Sequence, residues 1–126
     1  TAIVVGIASG VICYYAVALK NRLQWDDALD VWGVHGVGGF LGITLLGIFG
    51  SRLWNPAGSD GLIYGGTRFF MVQVVSAILC SLWAFVFTYG FLWLISRVTV
   101  TKVAPDVEEA GLDITLHGEE AYPVGL

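Results

Sequence analysis

Three long, uncharged and mostly apolar runs most strongly constrain what this chain can fold into. They extend from Thr1 to Leu19, from Val31 to Ser51 and from Phe69 to Ser96. A helix needs about 20 residues to cross the hydrocarbon core of a bilayer. The runs therefore predict an all-α membrane protein, with transmembrane helices at about 1–20, 27–50 and 69–98.

Composition excludes several other classes of protein. Charged residues make up 13% of the 126 residues and mean hydropathy is +0.77, whereas soluble domains contain about 25% charged residues. The net charge of −4 leaves no basic surface for nucleic acid. Cys13 and Cys80 lie inside apolar runs, and no zinc-site spacing or catalytic triad is visible. We therefore expect no enzyme, no metal and no cofactor.

Lysine and arginine predict the orientation of the chain. One side of the membrane would carry four basic residues and the other side two, namely Lys20, Arg22, Arg97 and Lys102 against Arg52 and Arg68. Because basic residues favour the cytoplasmic side, residues 103–126 are predicted to be a cytoplasmic tail behind the transmembrane domain 1–102. This tail is acidic, and we expect it to be disordered alone or docked on the membrane domain.

The second run contains His35, the only residue of the Asp, Glu, Lys, Arg and His types within the three runs. Such a group usually faces a bundle interior or a cavity. Helical spacing would place Gly38, Gly39 and Gly42 on the same face. Two interpretations remain open: close helix packing with His35 hydrogen-bonded across the interface, or a glycine-walled passage. In a passage the imidazole could relay a proton, ligate haem iron or hydrogen-bond a permeant.

The two segments between the spans predict a helix cap and a loop. Asp26 and Asp27 precede the second span, where carboxylates cap a helix N-terminus and favour its dipole. Residues 53–68 are rich in glycine and contain Asn55-Pro56, which predicts a loop or a re-entrant stretch.

Residues 26–39, DDALDVWGVHGVGG, are similar to the penultimate helix of the ammonium transporter family (Amt/Mep, related to Rh proteins). Residues 61–65, GLIYG, resemble the loop before its last helix, and residues 111–122, GLDITLHGEEAY, resemble its cytoplasmic C-terminal motif. The resemblance covers the whole chain.

The resemblance implies a fold and a set of site residues. Family members are eleven-helix bundles with inverted repeats, and they form trimers with one narrow hydrophobic pore per subunit. Two stacked histidines line each pore, and His35 matches the second of them. The expected pore-lining residues are His35, Val31, Gly38, Gly39 and Gly42; the structural acidic residues are Asp27 and Asp30; the regulatory tail residues are Gly111, Asp113, His117, Gly118, Glu119 and Tyr122.

The same resemblance implies a function and partners. It implies ammonium or ammonia transport across the cell membrane by a multi-pass protein. The expected partners are the lipid bilayer, the remaining N-terminal portion of the transporter, further copies in a homotrimer, and a PII signal protein. The three spans correspond to the ninth to eleventh helices, so we expect a fragment or one piece of a split chain. The alternatives are an ammonium sensor of the same fold and a haem-binding membrane anchor of a redox enzyme.

Overall fold

A computed structural model describes residues 1–120, in which helices joined by loops are present and no strand occurs. Helix α1 is Ala2–Arg22, α2 is Trp32–Phe49, α3 is Thr67–Ile95 and α4 is Pro105–Ala110. The first three are long and apolar enough to cross a membrane. The predicted all-α membrane fold is therefore confirmed.

The chain divides into two compact units. The first is Thr1–Trp83, and the second begins at Ala84, so α3 contributes to both. The first unit contains α1, α2, both loops that join the long helices, and the first part of α3. The contacts of Gly33 and Gly38 with α1 and of Gly47 with α3 all lie within this unit.

Helices α1 and α2 run antiparallel and approach closely because glycine removes side chains from the contact. A Cβ atom on Gly33 would lie only 2.7 Å from Cγ2 of Val17, and one on Gly38 would lie 3.0 Å from Sγ of Cys13. The Cys13 thiol also points at the Val34 carbonyl oxygen, at 3.9 Å. Small residues at such a seam let two backbones approach closely in a membrane.

Helix α3 packs against the end of α2 in the same way. A Cβ atom on Gly47 would lie 3.2 Å from the Phe70 ring and 3.3 Å from Cβ of Gln73. Gly47 is buried in this contact, and Ala77 of α3 is buried as well. The two helix contacts therefore use different glycines of α2.

The loop between α2 and α3 folds back onto the end of α2. The Gly61 N–H donates to the Gly50 carbonyl at 2.7 Å, and the Gly66 N–H donates to the Gly61 carbonyl at 2.9 Å. A Cβ atom on Gly61 would lie 2.5 Å from the Ile48 carbonyl oxygen, and one on Gly66 would overlap the Asp60 carbonyl oxygen. Both positions therefore require glycine because backbone atoms occupy the space of a side chain.

Two helix boundaries differ from the predicted ones by more than two residues. Helix α2 begins at Trp32 rather than at 27, because the chain before it forms turns and Asp30 has a left-handed backbone with φ of 55°. Helix α3 ends at Ile95 rather than at 98. There the chain enters a turn in which the Val98 N–H donates to the Ile95 carbonyl. Each of these two ends is set by local turn geometry.

The tail has more local structure than its composition predicts. Pro105 begins α4, where its missing N–H is not needed by the helix. A π-helical turn follows at Asp113–His117. Gly111 and Gly118 flank this turn with φ of 97° and 67°, which glycine adopts without strain.

Gly66→Ala should destabilise the protein because the added methyl group meets the Asp60 carbonyl oxygen. Overpacking of this kind lowers the free energy of unfolding by about 1–3 kcal/mol or more. Thermal unfolding in detergent measures the effect. Gly10→Ala in α1 is the control, since an added Cβ atom there would meet nothing within 4 Å. Equal unfolding temperatures for the two variants would contradict the loop geometry.

Candidate functional site

His35 lies in a π-helical segment, Trp32–Val37, that forms the first part of α2. A π-helix bonds residue i to i+5 instead of i+4, and such segments are rare and often occur at functional sites. Regular α-helical geometry resumes at Gly38. The prediction that His35 shares a face with Gly38, Gly39 and Gly42 assumed α-helical spacing throughout. The wider π-helical turn instead rotates His35 relative to the residues that follow it.

The imidazole of His35 is exposed and makes no hydrogen bond within residues 1–120. The contact between α1 and α2 is formed instead by Gly33 and Gly38. The packing interpretation required a hydrogen bond from His35 across this interface, and the described chain contains no such bond. His35 therefore points away from the α1–α2 seam.

The candidate glycines have different surroundings. Gly38 lies against the Cys13 side chain, whereas a Cβ atom on Gly39 or Gly42 would meet nothing within 4 Å. Gly42 lines a groove of about 170 Å³ between the start of α1 and the end of α2. Val31 is 49% exposed at the beginning of α2. Thus Gly38 makes a helix contact, and Gly39 and Gly42 border open space.

The carboxylate of Asp27 holds the start of α2. The Val31 N–H donates to its Oδ1 and the Trp32 N–H donates to its Oδ2, both at 2.9 Å. The hydrogen bond from Trp32 is the main reason that the pKa of Asp27 lies below its ordinary value of 3.8. The Val31 N–H and the positive charge of Lys20 lower it further, while partial desolvation opposes them.

Lys20 connects α1 to the same turn. Its Nζ donates to the Asp27 carbonyl at 2.5 Å and pairs with Oδ1 of Asp30 at 2.6 Å. Sequence reasoning used Lys20 only to orient the chain and missed this contact. The available signal was its position seven residues before Asp27 and shortly before Asp30. However, the ammonium group of a lysine at the end of a span ordinarily reaches water.

The candidate residues of the tail form a compact turn. The Glu119 N–H donates to the Asp113 carbonyl at 3.1 Å, and the Thr115 hydroxyl donates to the Gly111 carbonyl at 2.7 Å. His117 and Gly118 end this turn. Tyr122 lies outside the described residues. In residues 1–120 no three His, Cys, Asp or Glu side chains cluster in a way that would hold a metal ion.

Comparison with known proteins identifies relatives of this chain. Residues 1–122 match the model of the Ammonium Transporter Family. The chain is 36% identical over 121 residues to an ammonium transporter of Bacillus subtilis, covering 95% of this chain and 30% of that protein. It is 39% identical over 122 residues to a putative ammonium transporter of Methanothermobacter thermautotrophicus, with the same coverage of 95% and 30%. An ammonium transporter of Aquifex aeolicus is 38% identical over 121 residues, with coverage of 95% and 28%. The chain thus spans less than a third of the length of these curated relatives.

Removal of the Asp27 carboxylate should destabilise the start of α2. Asp27→Asn keeps one carbonyl oxygen and can accept one of the two N–H bonds, whereas Asp27→Ala accepts neither. The unfolding temperature should therefore fall in the order native, Asp27→Asn, Asp27→Ala, as measured by thermal unfolding in detergent. An alanine variant as stable as the native protein would show that the two bonds do not support the helix.

The contribution of Asp27 to the free energy of unfolding depends on pH, in the direction that its lowered pKa determines. Because the folded pKa of Asp27 is depressed, its contribution to stability is fully present above the ordinary value of 3.8. It is lost as the pH falls through the lower folded pKa. The stability difference between native protein and Asp27→Asn should therefore be constant above 3.8 and shrink below it.

Proposed function

Because the chain belongs to the ammonium transporter family, we propose that it forms part of an ammonium transporter and supplies a histidine to the pore. The observation that carries this proposal is the exposed imidazole of His35, in a π-helical turn of a membrane-spanning helix, without a hydrogen-bond partner in residues 1–120. An ionisable side chain at such a position is expected to face other helices or a cavity rather than lipid.

The chemistry follows from the charge of the substrate. Transfer of an isolated ammonium-type charge into an apolar medium is opposed by tens of kcal/mol in the idealised Born limit, whereas a neutral molecule lacks that term. A pore can avoid this barrier if the ion releases its proton before the apolar section. An imidazole suits the task because its ordinary pKa lies near neutrality. In the proposal, His35 accepts a hydrogen bond from the permeant and relays the proton.

The surroundings of His35 support a pore rather than a closed helix contact. Gly39 and Gly42 follow on α2, and neither has a neighbour within the space of a Cβ atom. Since the chain spans about 30% of the length of its relatives, other helices of such a protein would cover α2 at Gly39, whereas Gly42 lines the groove between α1 and α2. Val31 is exposed at the start of α2, whereas Gly38 lies in the α1–α2 contact against Cys13.

The remaining elements of the proposal concern assembly. Residues 1–102 would form the transmembrane part and residues 103–126 a cytoplasmic tail. The protein would assemble as a homotrimer in the cell membrane, and the turn around Asp113–His117 would contact regulatory partners such as a PII protein. The charge distribution supports this orientation, because Arg97 and Lys102 lie at the tail end of α3.

Substitution of His35 tests the role of the imidazole. In the transporter reconstituted in liposomes, His35→Ala and His35→Gln should both abolish the coupled ammonium current. Glutamine can still hydrogen-bond the permeant, but it cannot exchange a proton near neutral pH. The current is measured electrically, and the flux of uncharged ammonia is measured by an enclosed pH dye.

A substitution elsewhere on α2 provides the control. Thr44→Ala removes a polar group whose hydroxyl already donates to the Phe40 carbonyl of its own helix, at 2.8 Å. This variant should retain the native current. An undiminished current in His35→Ala, with the protein folded, would refute the proton-relay role.

A further inference from the structure

Lys20 is the one charged residue that is buried within residues 1–120, with 5% of its surface exposed. Lysine is rarely buried without a partner because its charge loses hydration. Here the ammonium group lies between two oxygen atoms, the Asp27 carbonyl and Oδ1 of Asp30, at 2.5 and 2.6 Å. Both atoms belong to the short turn between α1 and α2.

The two aspartates that Lys20 contacts hold the beginning of α2 through other atoms. The Asp27 carboxylate accepts the N–H groups of Val31 and Trp32. The Asp30 carbonyl accepts the Val34 N–H at 2.9 Å. Lys20 therefore acts at both ends of the turn that supplies the first hydrogen bonds of the helix.

The turn includes an uncommon backbone conformation. Asp30 has φ of 55°, in the left-handed region that few residues other than glycine adopt, although aspartate is enriched there. The ion pair with Lys20 holds the Asp30 side chain on the α1 side of the turn. Release of this side chain would allow the turn to relax and the start of α2 to shift or rotate.

His35 lies directly after the residues that the turn controls. The π-helical segment begins at Trp32, whose N–H is bound by Asp27, and continues through Val34 to His35. A change in the start or winding of this segment would rotate the imidazole about the helix axis. Lys20 is thus linked to His35 through backbone hydrogen bonds, without touching it.

We propose that Lys20 is a positioning residue that sets the orientation of the His35 imidazole by fixing the Asp27–Asp30 turn. The inference rests on the proposed function insofar as His35 lines the pore. Its structural part, the dependence of His35 on Lys20, holds or fails independently of transport.

The test replaces Lys20 by methionine, which keeps most of the side-chain volume and removes the charge. The complete transporter is labelled with ¹⁵N-histidine, and the imidazole signal of His35 is assigned as the one lost in His35→Gln. In Lys20→Met this signal should move from its native position. The coupled ammonium current should fall at least about tenfold, since displacement of a reacting group by an ångström alone can reduce a rate by up to about 100-fold.

Arg22→Met is the matched control. Arg22 lies in the same last turn of α1 and carries the same charge, but its side chain is exposed. This variant should leave both the His35 signal and the current unchanged. If it changes them as much as Lys20→Met does, loss of positive charge alone is the cause, and the proposal is overturned.

A second variant covers the case in which Lys20→Met is not recovered as folded protein. Asparagine tolerates a left-handed backbone, so Asp30→Asn keeps the turn conformation accessible while removing the charge that pairs with Lys20. It should also move the His35 signal. The double variant Lys20→Met/Asp30→Asn should move it no further than Lys20→Met, because the two residues act as one pair.

The outcomes separate the two proposals. An unchanged His35 signal in Lys20→Met, or in Asp30→Asn where the former does not fold, overturns the positioning role. A moved signal together with full current in His35→Ala supports the positioning role and overturns the pore function of His35. A moved signal with loss of current in both His35→Ala and Lys20→Met supports both.

Discussion

Backbone hydrogen bonding at the start of α2 is the interaction on which the rest of this structure depends. Inside a bilayer a helix satisfies its own N–H and C=O groups, but its first N–H groups have no partner within the helix. The Asp27 carboxylate receives two of them, from Val31 and Trp32. Lys20, near the end of α1, donates to the Asp27 carbonyl and forms an ion pair with the Asp30 carboxylate. One contact set thus joins two membrane helices and determines where the second begins.

Glycine has separate roles along α2. Gly33 and Gly38 bring α1 close, and Gly47 brings α3 close. Gly39 and Gly42 have no atom within 4 Å of an added Cβ atom, and Gly42 lines a groove between α1 and α2. Because lipid is as apolar as the side chains, close packing rather than hydrophobic burial holds such helices together. The glycine content that looked like one feature in the sequence therefore divides into packing sites and open positions.

The sequence predicted the three membrane spans and singled out His35, but it did not predict the local backbone geometry. Hydropathy located three spans because the runs are long and uncharged. The second uncharged run begins at Val31, but the predicted helix was extended back to 27 to include the capping carboxylate, which the structure places in a turn before the helix. The prediction also assumed a single α-helical period, whereas His35 lies in a π-helical turn. Lys20 was assigned to orientation alone, because its two partners are seven and ten residues away and are joined to it only by a turn.

The amino-acid sequence alone determined that this chain is helical and membrane-spanning, and that His35 is its exceptional intramembrane residue. These properties follow from local composition, since apolar length and a lone ionisable group can be read residue by residue. Only the tertiary structure decided which glycines pack and which stay open, that Lys20 is buried, and that His35 points away from the α1–α2 seam. Those properties depend on which backbones approach one another, and the short turn between α1 and α2 controls that approach.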